Sequence, residues 1–246
     1  MAVPSPTLIF GATGLTGSHI LSTLLASNPS TPITTISRRQ PSATSTKLTA
    51  RIEADTSKWA AAIPTLDPTP DTVISALGTT RAQAGGLANQ WKIDHDLNIE
   101  LAKAAKEAGA KTYVFVSSGG TRGLLSSSVP YSKMKNGVED TIRDLGFEQA
   151  IVLRPGALLG DRDQHRAGDG LMQSMFRNLE MIGLKDKLAV EGEVVGRAAT
   201  AALKQAAEGK APSKYWVVEQ PDVIRLGRTE WQETASSEPV AVVPAQ

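Results

Sequence analysis

The sequence predicts an α/β protein built on a doubly wound parallel sheet, and three observations carry that reading. A short apolar run, Thr7-Leu8-Ile9-Phe10, feeds three glycines spaced by three, Gly11, Gly14 and Gly17. Short β-branched runs then alternate with longer amphipathic segments along most of the chain, the pattern of right-handed strand–helix–strand crossovers. The chain has 246 residues, 41% of them hydrophobic, enough for one sizeable core.

The first unit is the most specific. Leu8 to Phe10 reads as a strand buried on both faces. Gly11 permits a tight strand-to-helix turn, Gly14 lets backbone come close to phosphate oxygens, and Gly17 lets the following helix, about Leu15 through Leu25, pack on the strand. That helix presents its free N–H groups and positive dipole end to an anion. Gly11, Thr13, Gly14, Leu15, Thr16 and Gly17 therefore form a candidate pyrophosphate cradle. Three glycines in a turn also occur without a ligand, so the rest of the chain must supply a reason for one.

Further strands are expected at Ile33 to Ser37, Leu48 to Ala54, Thr72 to Leu77, Thr112 to Ser117, Ala150 to Leu153 and Tyr215 to Val218. Helices are expected at Trp91 to Ala108, closed by Gly109, at Tyr131 to Leu145, entered through Pro130, and near Gly192 to Ala207. Residues 1–233 read as one domain. Within it a part at about 160–190, with an amphipathic piece from Leu171 to Met181, is expected to cover the carboxyl ends of the strands. Residues 234–246 read as a disordered tail.

Composition excludes several functions. The net charge of +1 gives no surface for nucleic acid, and the absence of cysteine removes disulfides, thiolate catalysis and zinc–sulfur sites. His19, His95 and His165 lack metal-ligand spacing, so no metal site is expected. No apolar stretch is long enough for a transmembrane span, and the first residues resemble neither a secretory signal nor an Arg-rich transit peptide, which makes a cytoplasmic location the default.

The end of the second strand carries Ser37-Arg38-Arg39, where an acidic residue would suit the ribose hydroxyls of NAD. Two guanidinium groups suit a 2′-phosphate instead, so the sequence favours NADP(H); two solvated arginines are the plain alternative. Asp55 after the third strand is placed to meet the adenine, and Leu77, Gly78 and Thr79 after the fourth give a second close backbone approach.

Tyr131 and Lys135 lie four apart, on one helical face. A free phenol has a pKa near 10, and an adjacent ammonium stabilises its phenolate, which fits the pair for acid–base work. Ser118, at the end of the preceding strand, would stand at the same sheet edge, able to donate to a substrate oxygen. A core tyrosine, a surface lysine and a capping serine are the ordinary readings of each residue alone.

Together, Gly11-Ala-Thr-Gly14-Leu-Thr-Gly17, Ser117-Ser118, Tyr131-Ser-Lys-Met-Lys135 and Arg154-Pro155-Gly156 resemble the short-chain dehydrogenase/reductase superfamily. The segments Leu77-Gly78-Thr79-Thr80-Arg81-Ala-Gln-Ala-Gly85 and Leu153 to Arg162 are similar to its atypical branch of Tat-interactive (CC3-type) proteins and their fungal relatives at the mitochondrial outer membrane. The resemblance implies a Rossmann-type fold binding NADPH, with Tyr131 as acid/base, Lys135 as its electrostatic partner and holder of the nicotinamide ribose, Ser118 as oxygen donor, and Pro155 and Gly156 beside the nicotinamide. It also implies an alternative location, peripheral on the cytosolic face of that membrane. Many members carry a relay asparagine on the helix before the serine strand; here the region reads Trp91-Lys-Ile-Asp94-His-Asp-Leu-Asn98, with no asparagine in the aligned place.

The expected function is an NADPH-dependent oxidoreductase acting on a small carbonyl or alcohol, with an NADPH-binding regulator or scaffold of little turnover as the alternative, and a non-redox isomerase or dehydratase as a third. Specificity would lie in Thr121 to Val129 and Asp161 to Val190. The faces carrying Lys103, Lys106, Glu139 and Arg143 read as solvated, which favours a monomer.

Overall fold

The computed structural model describes residues 5–27, 31–123, 126–160, 185–231 and 241–242. Seven parallel strands form one sheet: β1 (Thr7–Phe10), β2 (Ile33–Ser37), β4 (Leu48–Ile52), β5 (Thr72–Ser75), β6 (Thr112–Val116), β7 (Gln149–Arg154) and β10 (Tyr215–Glu219). Their order is β10-β7-β6-β5-β1-β2-β4, so the direction of winding reverses beside β1, between β1 and β5. In open α/β sheets that crevice, at the carboxyl ends of the strands, is where ligands bind. Four shorter strands sit outside the sheet, in two pairs. β8 (Ala157–Leu159) pairs with β9 (Ala189–Glu191) in parallel. β3 (Ala43–Thr44) pairs antiparallel with β11 (Ala241–Val242), two residues of the 234–246 segment expected as a disordered tail. The segment Leu171 to Met181 lies outside the described residues.

The strands form where the sequence is apolar on both faces. Leu8, Ile9 and Phe10 are fully buried, as are Val73, Ile74, Val114, Phe115, Ile151 and Val152. One core lies between the sheet, α1 (Leu15–Ser27) and the helix Gly192–Ala207, the other between the sheet, α2 (Trp59–Ala62), α4 (Asn98–Glu107) and α5 (Pro130–Asp144). α5 begins with Pro130 in its first turn, where a missing N–H costs nothing.

The expected Trp91 to Ala108 helix is one helical run over residues 87–107, and it is not uniform. α3 (Leu87–Trp91) passes through a π turn, Lys92–Leu97, into α4. The π turn is bridged by Asn98, whose Nδ2 donates to the Ile93 carbonyl at 3.0 Å and the Asp94 carbonyl at 3.4 Å. Its Oδ1 accepts from Ser75 Oγ at 2.6 Å, which ties the helix to the end of β5.

Candidate active site

The glycine loop is built by close backbone contacts. Gly11 has φ +80°, and a Cβ there would lie 2.7 Å from the Ala76 carbonyl at the end of β5. A Cβ on Gly17 would lie 2.0 Å from the Gly11 oxygen, so α1 starts directly against the loop. Gly14 differs: its Cβ would meet only the Gly11 oxygen, at 3.4 Å. The cradle is therefore open at Gly14 and closed at Gly11 and Gly17. The first N–H groups of α1 have no acceptor within the helix, and Thr16 Oγ1 is buried with no partner among the described residues. The donor set, the space and the helix end fit a phosphate group. Leu15 packs under Gly160 and Gly192, which anchors the start of the helix from the other side.

Arg38 and Arg39 are exposed just beyond β2. Arg39 reaches back to the loop and donates from NH2 to the Thr13 carbonyl at 3.2 Å. Asp55 is exposed and engaged locally: its carboxylate accepts from Ser57 N at 3.0 Å and Ser57 Oγ at 2.6 Å, capping the turn Thr56–Lys58. Those two hydrogen bonds, the side-chain one foremost, hold its pKa below the usual carboxylate value.

At the edge of β5 and β6 the second half of the site assembles. Leu77 N donates to Ser75 Oγ at 3.4 Å, and Thr79 N donates to Asp94 Oδ2 at 2.9 Å. A Cβ on Gly78 would lie 3.3 Å from Asp94 Oδ1 and 3.8 Å from Lys135 Nζ. Lys135 is buried on α5, its Nζ 3.3 Å from the Val116 carbonyl and 4.9 Å from the centre of the Phe115 ring. Tyr131, one turn earlier, is exposed, and its hydroxyl has no hydrogen-bond partner among the described residues. The two therefore follow the depth of α5: the lysine inside, the phenol at the mouth.

Of the two serines after β6, Ser117 is committed elsewhere. It is buried, and its Oγ donates to Glu139 Oε1 at 2.5 Å. Ser118 is half-buried. The β6 and β7 ends are joined by Ser117 N to the Leu153 carbonyl at 2.8 Å and Gly119 N to the Pro155 carbonyl at 2.7 Å. Gly156 N donates to Gln220 Oε1 at 2.7 Å, and a Cβ on Gly156 would run into the Leu188 carbonyl. Close packing against the segment before β9 thus already requires a glycine at 156.

Sequence reasoning misplaced one carboxylate and left the role of another open. Glu139 is not on a solvated face; it is fully buried and is the hub of a polar cluster. Arg154 approaches it through Nε at 3.1 Å and NH2 at 2.6 Å, and Arg122 through Nε at 3.1 Å. The Glu139 hydrogen bond is the leading cause that pushes the Arg154 pKa far up, so this guanidinium stays charged. Tyr215 OH donates to the Glu139 carbonyl at 3.2 Å; burial first, then the Glu139 charge, pushes that phenol up to about 12. The other carboxylate, Asp94, sits in the π turn against Lys135. The signal for Glu139 was its place on the Tyr131–Lys135 face, two turns on.

Over residues 7–196 the sequence matches the NAD dependent epimerase/dehydratase family. The chain belongs to that family. It is an atypical short-chain dehydrogenase/reductase with fungal relatives. It is 55% identical over 239 residues to "Protein fmp-52, mitochondrial" of Neurospora crassa, covering 94% of this chain and 99% of the relative. It is 57% identical over 229 residues to "Protein FMP52, mitochondrial" of Chaetomium globosum, covering 92% and 98%. Among solved structures, the UDP-Glc/GlcNAc 4-epimerase of Campylobacter jejuni aligns with a TM-score of 0.65 at 15% identity over 90% of this chain and 82% of that one. The Bordetella bronchiseptica enzyme WbmH, in complex with NAD+, aligns with a TM-score of 0.63 at 17% identity over 87% and 74%. These structural likenesses establish the Rossmann-type fold. Among the described residues no helix is long and apolar enough to cross a membrane, and no group of His, Asp and Glu could hold a metal ion.

Proposed function

We propose that this family member is an NADP(H)-dependent oxidoreductase that moves hydride to or from a small carbonyl or alcohol. The observation that carries the reading is the start of α5, where Tyr131 stands at the mouth and Lys135 is buried beside Gly78, with Ser118 at the same sheet edge. Gly11, Thr13, Gly14, Leu15, Thr16 and Gly17 would hold the pyrophosphate, Arg38 and Arg39 the 2′-phosphate, and Asp55 the adenine end. Leu77, Gly78, Thr79, Lys135, Pro155 and Gly156 would flank the nicotinamide half. When bound, the nicotinamide supplies or accepts the hydride. The chain's own residues do the rest. The Ser118 hydroxyl donates to the substrate oxygen. The Tyr131 phenol holds the proton destined for that oxygen, and the Lys135 ammonium, on the same helical face, stabilises the phenolate left behind.

The test is NADPH oxidation against a panel of aldehydes, ketones and quinones, comparing the wild type with Tyr131→Phe. Loss of the acid is expected to slow turnover by about 10²- to 10⁴-fold. Turnover that Tyr131→Phe leaves unchanged overturns the assignment, and cofactor binding without turnover across the panel favours the regulatory alternative. The relatives carry "mitochondrial" in their names, and we extend that location to this chain as a peripheral protein on the cytosolic face of the outer membrane. Protection from added protease in intact mitochondria would contradict it.

A further inference from the structure

The corner after β7 is held from a distant part of the chain. Glu219 ends β10 and Gln220 opens the helix Gln220–Ile224. These two neighbours reach the residues on either side of Pro155. Glu219 Oε1 accepts from Arg154 NH1 at 2.7 Å, and Gln220 Oε1 accepts from Gly156 N at 2.7 Å. Gln220 Nε2 donates to the Asp186 carbonyl at 2.9 Å and to the Ala189 carbonyl at 3.0 Å. The side chain is buried, and its amide can point only one way. Flipped, an NH2 group would face the Gly156 N–H and an oxygen would face two carbonyls. One glutamine thus joins the corner after β7, the short helix Lys185–Leu188 and the first residue of β9.

We propose that Gln220 is a positioning residue for the nicotinamide half of the cofactor site, acting through the Pro155–Gly156 peptide unit. This rests on the cofactor placement proposed above, and not on the acid–base role of Tyr131. The carbonyl and the N–H of that unit belong to one rigid plane. Gly119 N holds the carbonyl at 2.7 Å from the β6 side, and Gln220 holds the N–H from the other. Gripped at both ends, the plane cannot rotate. Gly156 has no side chain of its own to anchor it, and a free glycine samples more backbone conformations than any other residue. A corner fixed by the chain itself has little ordering cost left when a ligand binds against it. Packing alone does not call for a glutamine here. Burying an amide is unfavourable unless its groups are paired, and an apolar side chain of the same length would fill the space. The acceptor of this amide goes to Gly156, 64 residues earlier, in the corner assigned to the nicotinamide.

The test compares two ligands on the wild type and on Gln220→Met, which keeps the length of the side chain and removes its three hydrogen bonds. NADPH fills the whole proposed site. Adenosine 2′,5′-bisphosphate carries the adenine end and the 2′-phosphate but no nicotinamide. In titration calorimetry Gln220→Met should weaken NADPH by about 2- to 12-fold, the worth of one ordinary hydrogen bond, and leave the bisphosphate unchanged. A merely structural glutamine would loosen both ligands together, or lower the melting temperature alone. Equal weakening of the two ligands, or none for NADPH, overturns the inference and leaves the cofactor reading in place. A wild type that does not bind NADPH brings down both. A selective loss of NADPH beside turnover that Tyr131→Phe leaves unchanged keeps this inference and removes the acid–base role. One measurement needs no variant to fold. In the wild type without cofactor, the Gly156 amide should exchange slowly with solvent; exchange at the rate of an open loop overturns the inference as well.

Discussion

Gly14→Ala separates the cradle from the fold. The Cβ it adds meets only the Gly11 oxygen at 3.4 Å, and Gly14 is not among the glycines with positive φ. Alanine fits the backbone, and the smaller entropy of the unfolded chain offers about 0.4–1 kcal/mol of stabilisation. The same methyl would stand where phosphate oxygens approach. Losing one charge-assisted hydrogen bond there costs about 1.5–3 kcal/mol, which is roughly a 10- to 100-fold weaker NADPH complex. Gly17→Ala is the contrasting variant. Its Cβ would lie 2.0 Å from the Gly11 oxygen and 2.6 Å from the Gly11 carbon, both backbone atoms that cannot swing aside. Overpacking of this kind costs about 1–3 kcal/mol or more, a melting temperature lower by about 2–12 °C in a chain of this size. Thermal denaturation read beside NADPH fluorescence titration tells the two apart. If Gly14→Ala binds NADPH like the wild type at an unchanged melting temperature, no phosphate approaches that glycine and the cradle is misassigned.

Two further outcomes follow from the charged groups. Arg38→Ala and Arg39→Ala should weaken NADPH far more than NADH in equilibrium binding, with Arg39→Ala also freeing the Thr13 carbonyl; equal weakening of both cofactors would refute the 2′-phosphate role. Glu139→Gln removes the buried counter-charge of Arg154, which is 14% exposed, and leaves it the pairing with the exposed Glu219 at 2.7 Å. Breaking a buried pair costs about 3–5 kcal/mol. At roughly 2–4 °C per kcal/mol, calorimetry should show a melting temperature lower by about 6–20 °C. A drop of less than about 2 °C would mean that Glu139 is not the hub of that cluster.

The sheet was legible because its strands are buried on both faces, so runs such as Leu8-Ile9-Phe10 and Tyr113-Val114-Phe115 stand out from their neighbours. β4 was the weakest to read for the opposite reason: it is the edge strand, and Arg51 and Ile52 on it are exposed. β3 and β11 are two residues each, too short to show a period. The candidate site was legible where backbone geometry demands a residue type, as at Gly11 and Gly17. It was not legible where a side chain's role depends on partners distant in sequence. Glu139 meets Ser117 twenty-two residues away and Arg154 fifteen away, and no local pattern announces either contact.

The π turn was hidden for a related reason. A helix interior normally disfavours asparagine, because its amide competes for backbone groups. At Asn98 that competition is what holds the turn open, and the effect exists only because Ser75 fixes the amide from the sheet side. The same reasoning explains why two buried carboxylates are needed on one side of α5. Tyr131, Lys135 and Glu139 follow one another on a single face. Glu139 is the nearer carboxylate to Lys135 in sequence, yet its oxygens are taken by Arg154, Arg122 and Ser117. The counter-charge for Lys135 must then come from another element, and the inserted residue in the π turn brings Asp94 to supply it.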